Sequence, residues 1–373
     1  MNDGAVERLF AVLPGARVVG GAVRDRLLGQ QAADVDFAAP LPPERVIEHL
    51  RAAGVGFAPT GLKHGTVTAI INGRGYEITS LRRDVATDGR HAQVQYTDDW
   101  QEDAARRDFT FNALSMDQAG KIYDYFGGAE DLAEGRVRFV GDAAARVAED
   151  YLRILRFFRF YARFGRGDPD PAAIAAITAG VPGLSRLSPE RVWSELKGLL
   201  STADPVPALR LMDQTGVLTT LLPGGSDIAA IARLGPADAL LRFAALAPDA
   251  PRYAAVLRWS AAEHALIAGY CRVELPPAFA SDDDLRRALD QVPRAHLIGA
   301  SRLRGDKAEF QARIQAMSAP VFPLKGRDAT ALGVPAGERV GELLAELRAW
   351  WRSAGCTAPV EACRQELARR IRG

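Results

Sequence analysis

Gly20-Gly21-Ala22-Val23-Arg24-Asp25-Arg26-Leu27-Leu28-Gly29, followed shortly by Asp34-Val35-Asp36-Phe37, decides how the chain reads. ARVVGG from Ala16 is apolar and β-branched and AVRDRLLG is amphipathic, so a strand runs into a glycine pair and leaves it as a helix. VDFAA then reads as a second strand. Alternation along it sends Asp34 and Asp36 to one face and Val35 and Phe37 to the core. Two ionised carboxylates on one spot repel, and unless one is protonated a hard divalent cation with oxygen ligands, usually Mg²⁺, relieves them. Alone, such a D-x-D reads as a turn or a solvated face. The glycine pair changes its context, because backbone N–H groups at a strand-to-helix turn can approach a triphosphate, with Arg24 adding a charge-assisted contact. The bland reading of Gly20-Gly21 is a tight turn, and its spacing is not that of a dinucleotide fold.

Outward from this stretch the pattern stays mixed to about Phe139. ERVIEHLRAAG is helical, and VTAIING and YEITSL form a hairpin-like pair around the Asn72-Gly73 turn. Beyond about Gly141 the strand signals fade and apolar residues recur at helical spacing, as in AARVAEDYLRILRFFRFYARFG, ERVWSELKGLLS and PALRLMDQTGVLTTLL. Breaks near 248–251, 276–284 and 319–327 separate helical subdomains.

GGAVRDRLLG followed by DVDF resembles the start of the tRNA nucleotidyltransferase and poly(A) polymerase family, within the DNA polymerase beta-like superfamily. GLKHGTV, YEITSLRRD, EDAARRDFTFNAL, DYFGGAEDL, AEDYLRILRFFRF and SPERVWSELKGLL follow in the family's order. The resemblance implies an α+β fold, a nucleotidyltransferase head with a mixed sheet and flanking helices, then an all-helical neck, body and tail. The divisions expected are 1–140 for the catalytic head, 141–200 for a neck that recognises the nucleotide base, and 201–373 for a tRNA-binding body and tail. Read by resemblance, Asp34 and Asp36 are the catalytic metal ligands for Mg²⁺, while Gly21 and Arg24 touch the nucleotide. Glu77 matches the superfamily's third catalytic carboxylate, against the reading of a solvent-facing glutamate on a half-exposed strand. Arg107 of the RRD block is the nucleotide-binding arginine, with Arg106 the neighbour it is confused with; otherwise the block reads as a solvated charge cluster.

The helix expected from about Glu149 carries Asp150, Arg153, Arg156 and Arg159 at every third position, a slowly winding polar stripe. One reading is a basic face for RNA phosphates, and Arg163 and Arg166 suit it. The sharper reading starts from base edges: C and A each place an amino donor beside a ring-nitrogen acceptor, and an aspartate beside an arginine mirrors that order. Asp150 would accept from C N4 or A N6 and Arg153 donate to C N3 or A N1, each pairing worth roughly 1–3 kcal/mol of discrimination. The resemblance assigns all four residues to nucleotide binding.

Bulk properties constrain the rest. A chain of 373 residues suggests two or more domains, and 48% hydrophobic with 25% charged residues excludes global disorder. With 47 basic against 46 acidic residues the net charge is +1, so nucleic acid must be met by local patches. Three cysteines lack the spacing of a zinc site or disulfide framework. No secretory layout or membrane-length apolar run is seen, so a cytoplasmic protein is expected. His64 and His91 read as structural or RNA-facing, and residues 90–105 as a flexible element.

The function expected is template-independent addition of C, C and A to the 3′ end of tRNA from CTP and ATP, releasing pyrophosphate. Competing readings are a poly(A) polymerase, a partial CC-adding or A-adding enzyme, and a noncatalytic RNA-binding protein. RRDFTFNAL and GLKHGTV favour the tRNA enzymes.

Overall fold

In the computed structural model, residues 4–32, 34–62, 65–87 and 92–372 are described. His64 and His91 lie outside them. The chain divides into two compact units, Met1–Pro223 and Gly224–Gly373.

The first unit is built on a seven-stranded sheet in the order β3-β4-β5-β2-β1-β8-β9. Its strands are β1 (Arg17–Val19), β2 (Asp36–Ala39), β3 (Gly56–Gly61), β4 (Thr66–Ile71), β5 (Arg74–Ser80), β8 (Ser115–Met116) and β9 (Ile122–Tyr123); β6 (Arg82–Thr87) and β7 (Ala92–Tyr96) form a separate hairpin. Every neighbouring pair in the large sheet is antiparallel except β2 and β5, which run parallel with Phe37 opposite Ile78. The β4–β5 hairpin closes through Asn72 and Gly73, both at positive φ (53° and 75°), the left-handed pair that a two-residue turn with Asn-Gly favours.

Side-chain alternation sorts the two faces of this sheet. Val18, Phe37, Ala39, Ala69 and Ile78 turn to a core closed by Leu9 of α1 (Gly4–Val12), Val23 of α2 (Gly21–Leu27), and Val46 and Leu50 of α3 (Pro43–Ala52). On the other face Val19, Ala38 and Leu81 pack beneath Trp100 of α4 (Trp100–Ala105). That helix begins on Asp99, whose side chain accepts from the N–H groups of Gln101 and Glu102. Of the segment expected to be flexible, 92–96 are therefore strand and 100–105 helix.

The helical part of the unit starts with α5 (Gly128–Glu134), α6 (Ala143–Glu149) and α7 (Leu152–Phe164), and continues through α8 (Pro171–Gly180), α9 (Pro189–Leu200), α10 (Val206–Gln214) and α11 (Val217–Leu221). Phenylalanines join α7 to the head. Phe109 stacks on Phe139 at 4.9 Å between centroids and meets Phe160 edge-on at 5.3 Å, while Phe111 meets Phe160 and Phe164 at 5.3 and 5.8 Å. Such pairs contribute about 0.5–1.5 kcal/mol each beyond area burial, enough to fix α7 against the RRD segment.

The second unit is helical among its described residues, from Ile228–Leu234 to Val360–Arg372. One core gathers Leu285, Leu297, Phe310 and Ile314, and another Leu343, Leu347, Trp351 and Cys363. Asp290, its side chain 1% exposed, is held by Arg348 and Arg352, each at 2.5 Å.

Candidate active site

The strand carrying the two aspartates is shorter than the sequence suggests. It begins at Asp36, and Asp34 and Val35 lie in an irregular lead-in. Asp36 stands opposite Val19 on β1. The parallel register with β5, Phe37 to Ile78, sets Glu77 at the position beside Asp36. Glu77 is exposed between buried Tyr76 and Ile78, so alternation does turn it to the face of Asp36. Packing around Asp36, then the charges of Glu77 and Asp34, push its carboxyl above the ordinary range, and nearby Arg107 acts against them. Among the described residues no three His, Cys, Asp or Glu side chains converge on one cation position. Asp34 and Asp36 nonetheless offer an oxygen-only donor pair under mutual repulsion, and Mg²⁺ commonly binds through one or two carboxylates plus waters and substrate phosphates. The residues fit that cation.

Gly20 has φ 63° and ψ −123°, a backbone disfavoured for any residue with a Cβ. A Cβ there would stand 3.7 Å from Arg107 Nη1, so the Arg107 guanidinium lies at the glycine turn. Its other edge rests on Asp103, at 3.2 Å. Arg106 is turned inward instead, 2.7 Å from the same carboxylate, and burial pulls its guanidinium down to about 10. The two adjacent arginines thus face different ways, Arg107 toward the glycine turn and Arg106 inward.

Arg24, expected to touch the nucleotide, is packed into the protein beside the glycine turn. It is buried at 6% exposure and paired at 2.8 Å with Asp25, and Nη1 donates to Asn112 Oδ1 at 2.8 Å. Its guanidinium lies over Phe160 and Phe164. It holds the turn of Gly20 and Gly21 to the segment around Asn112. Gly21, the first residue of α2, faces this guanidinium, with a Cβ there 3.5 Å from Arg24 Nη2.

The backbone at Asp150 is a second correction. The helix expected from about Glu149 starts at Leu152, and Asp150 lies extended between α6 and α7 at φ −152° and ψ 106°. Its Oδ1 accepts from the Leu152 N–H at 3.0 Å, the local competition with helix that makes aspartate a terminus residue. Its Oδ2 accepts from Arg191 at 2.6 Å. Arg153 is not its partner: Nη1 reaches Glu149 at 2.5 Å and the Arg146 carbonyl at 2.9 Å, and Nη2 the Arg106 carbonyl. Arg156 pairs with Asp108 at 2.6 Å and with Glu195 at 3.5 Å; Arg159 pairs with Glu195 at 2.6 Å. Burial alone would push the Asp108 carboxyl up, but Arg156, Asn112 and the Phe109 N–H outweigh it and hold it below the ordinary range.

Glu195 was missed by sequence reasoning. It sits on α9 among buried Val192, Trp193, Leu196 and Leu199, and an acid on so apolar a stripe was the available signal. A continuous polar chain results: Arg24, Asn112, Asp108, Arg156, Glu195, Arg159, linking the glycine turn through the RRD segment to α7 and α9.

Residues 16–138 match the family model described as the poly A polymerase head domain, and 168–228 that described as a probable RNA and SrmB-binding site of polymerase A. The human protein named CCA tRNA nucleotidyltransferase 1, mitochondrial, is 36% identical over 360 residues, covering 91% of this chain and 83% of its own length. The chain belongs to the tRNA nucleotidyltransferase and poly(A) polymerase family. It is a nucleotidyltransferase. Another member, the CCA-adding enzyme of Geobacillus thermodenitrificans, is 40% identical over 211 residues, 56% of this chain and 51% of that protein. The family fold is matched by the structure of the Bacillus stearothermophilus CCA-adding enzyme in complex with CTP, at TM-score 0.78 and 27% identity over 99% of this chain and 96% of that one. No helix among the described residues is long and apolar enough to cross a membrane, and the human member is named as mitochondrial.

Proposed function

We propose that this nucleotidyltransferase adds C, C and A to the 3′ end of tRNA, using CTP and ATP. The observation that carries the reading is the meeting of Asp36, Glu77 and Arg107 beside the glycine turn, on a chain with a relative, matched over 91% of its length, that is named a CCA tRNA nucleotidyltransferase.

In this reading residues 1–140 perform the transfer, 141–200 read the incoming base, and 201–373 hold the tRNA by shape and phosphate contacts. The RNA 3′-oxygen attacks the α-phosphate; its bond to phosphorus forms as the bond to pyrophosphate breaks. Asp34 and Asp36, with Glu77 beside them, would hold Mg²⁺, which when bound favours the deprotonated hydroxyl and offsets charge on the leaving group. Arg107, at the Gly20 turn, meets the nucleotide's phosphate or ribose oxygens as a charge-assisted donor. Arg24 positions the turn from beneath. Asp150 and Arg153 read the amino group and ring nitrogen of C or A, which requires Arg153 to exchange Glu149 for the base. Arg156 and Arg159, braced by Asp108 and Glu195, set the wall on which that base rests.

The test is addition of labelled CTP, ATP, UTP and GTP, singly and together with Mg²⁺, to a tRNA lacking CCA and to an unstructured RNA. Growth by CCA on tRNA alone is expected. Stopping at CC, or accepting only a CC end, would make it a partial enzyme. Long A tails on either RNA would make it a poly(A) polymerase, and no addition a binding protein.

A further inference from the structure

Arg191 belongs to the SPERVWSELKGLL segment and has had no part in the chemistry above, yet it makes the 2.6 Å contact to Asp150. The Asp150 carboxylate is held at both oxygens, Oδ1 by the Leu152 N–H at the start of α7 and Oδ2 by Arg191 from α9. A carboxylate oxygen has two lone pairs, so each retains one for another donor. Both side chains stay accessible, 37% exposed for Arg191 and 25% for Asp150. Arg191 lies in the first turn of α9, where a cation works against the helix dipole, and Asp150 is the counter-charge it meets there. The backbone at Asp150 is pinned as well. Tyr151 fills the place of a side chain at Gly183, where a Cβ would fall 2.2 Å from its ring.

We propose that Arg191 is a specificity-determining positioning residue, fixing the direction in which Asp150 presents its carboxylate to the incoming base. The proposal rests on the base-reading role of Asp150 given above. C and A show an amino donor outside a ring-nitrogen acceptor; U and G show a carbonyl outside a ring N–H. A carboxylate held at one place accepts from the amino group and faces the carbonyl of U or G with no hydrogen between them. A carboxylate free to swing by one position reaches the ring N–H instead, and the discrimination is lost. Arg191 removes that freedom without touching the base.

The experiment compares the parent protein with R191Q, R191K and D150A, measuring kcat and KM for each nucleotide on a tRNA lacking CCA, with melting temperatures alongside. R191Q keeps the side chain's bulk without its charge, and R191K keeps the charge without the planar fork. Expected for R191Q is a fall of roughly tenfold or more in the kcat/KM preference for CTP over UTP and ATP over GTP, with KM for the correct nucleotides moving more than kcat. R191K should recover part of the preference, and D150A should lose at least as much as R191Q. If R191Q slows all four nucleotides alike while D150A loses discrimination, Arg191 is merely structural and the proposal falls. If D150A itself keeps the parent's preferences, the base-reading role of Asp150 falls and takes the proposal with it.

Discussion

Asp108 Oδ2 lies 2.6 Å from Arg156 Nη2, so the last residue of the RRD segment grips the middle of α7 from 48 positions away in the chain. The Asn112 amide and the Phe109 N–H donate to the other carboxylate oxygen, leaving the pair well satisfied on the aspartate side. Asp108→Asn strands Arg156 with only the more distant Glu195, and a cost of about 3 kcal/mol is expected, read as a shift of the urea midpoint.

The same pair fixes a pH dependence. The Asp108 carboxyl is held below its ordinary range, so its stabilisation is complete above the unfolded value near about 4 and disappears as pH falls through the lower native value. The stability gap between the parent and Asp108→Asn should be constant from neutral pH to about 5 and close in stronger acid. Melting curves over a pH series check the sign; a gap that widens in acid would contradict it.

Asp36 predicts the opposite trade. Its carboxyl is crowded by Glu77 and Asp34, so Asp36→Asn removes a repulsion along with one of the proposed metal ligands. The variant should lose nucleotide incorporation, yet melt no lower than the parent when both are measured in a chelator. A parent rate that survives chelation would remove the case for a divalent cation.

Gly128 sits where a Cβ would fall 2.1 Å from the Thr110 carbonyl oxygen, a backbone atom that cannot swing aside. Gly128→Ala should destabilise by about 1–3 kcal/mol through overpacking. Gly341, inside the helix Glu338–Ser353 with nothing near its missing side chain, should gain about 0.5–1 kcal/mol on changing to alanine. Thermal melts of the two variants should move in opposite directions.

What the sequence revealed and what it hid divide along chain distance. The β4–β5 hairpin, the burial of Phe37 and the outward turn of Glu77 follow from local alternation and an Asn-Gly turn, and each stands as read. The packing of Arg24 and the extended backbone of Asp150 were not legible in this way. A guanidinium next to a glycine turn looks available until Asn112, 88 positions on, is found beneath it. Asp150 looks like a helical residue until its own side chain is seen accepting from the Leu152 N–H, just ahead of α7. Glu195 was flagged only by its place on an apolar stripe of α9, and its partners, Arg156 and Arg159, come from α7 and needed the fold. The resemblance chose Arg107 over Arg106; that one guanidinium lies at the glycine turn and the other is buried on Asp103 needed the fold.

The place of β1 in the sheet bears on how the protein comes to be made. Val19 pairs with Ser115, and Phe111 of the head meets Phe160 of α7, so β1 lacks its second neighbour, and the head its contact with α7, until those later segments have left the ribosome. Pairings so distant in sequence are slow to form and leave edges exposed while they wait. The candidate site at the Gly20 turn is therefore assembled late, and a nascent chain presents the edge of β1 to its surroundings until Ser115 arrives.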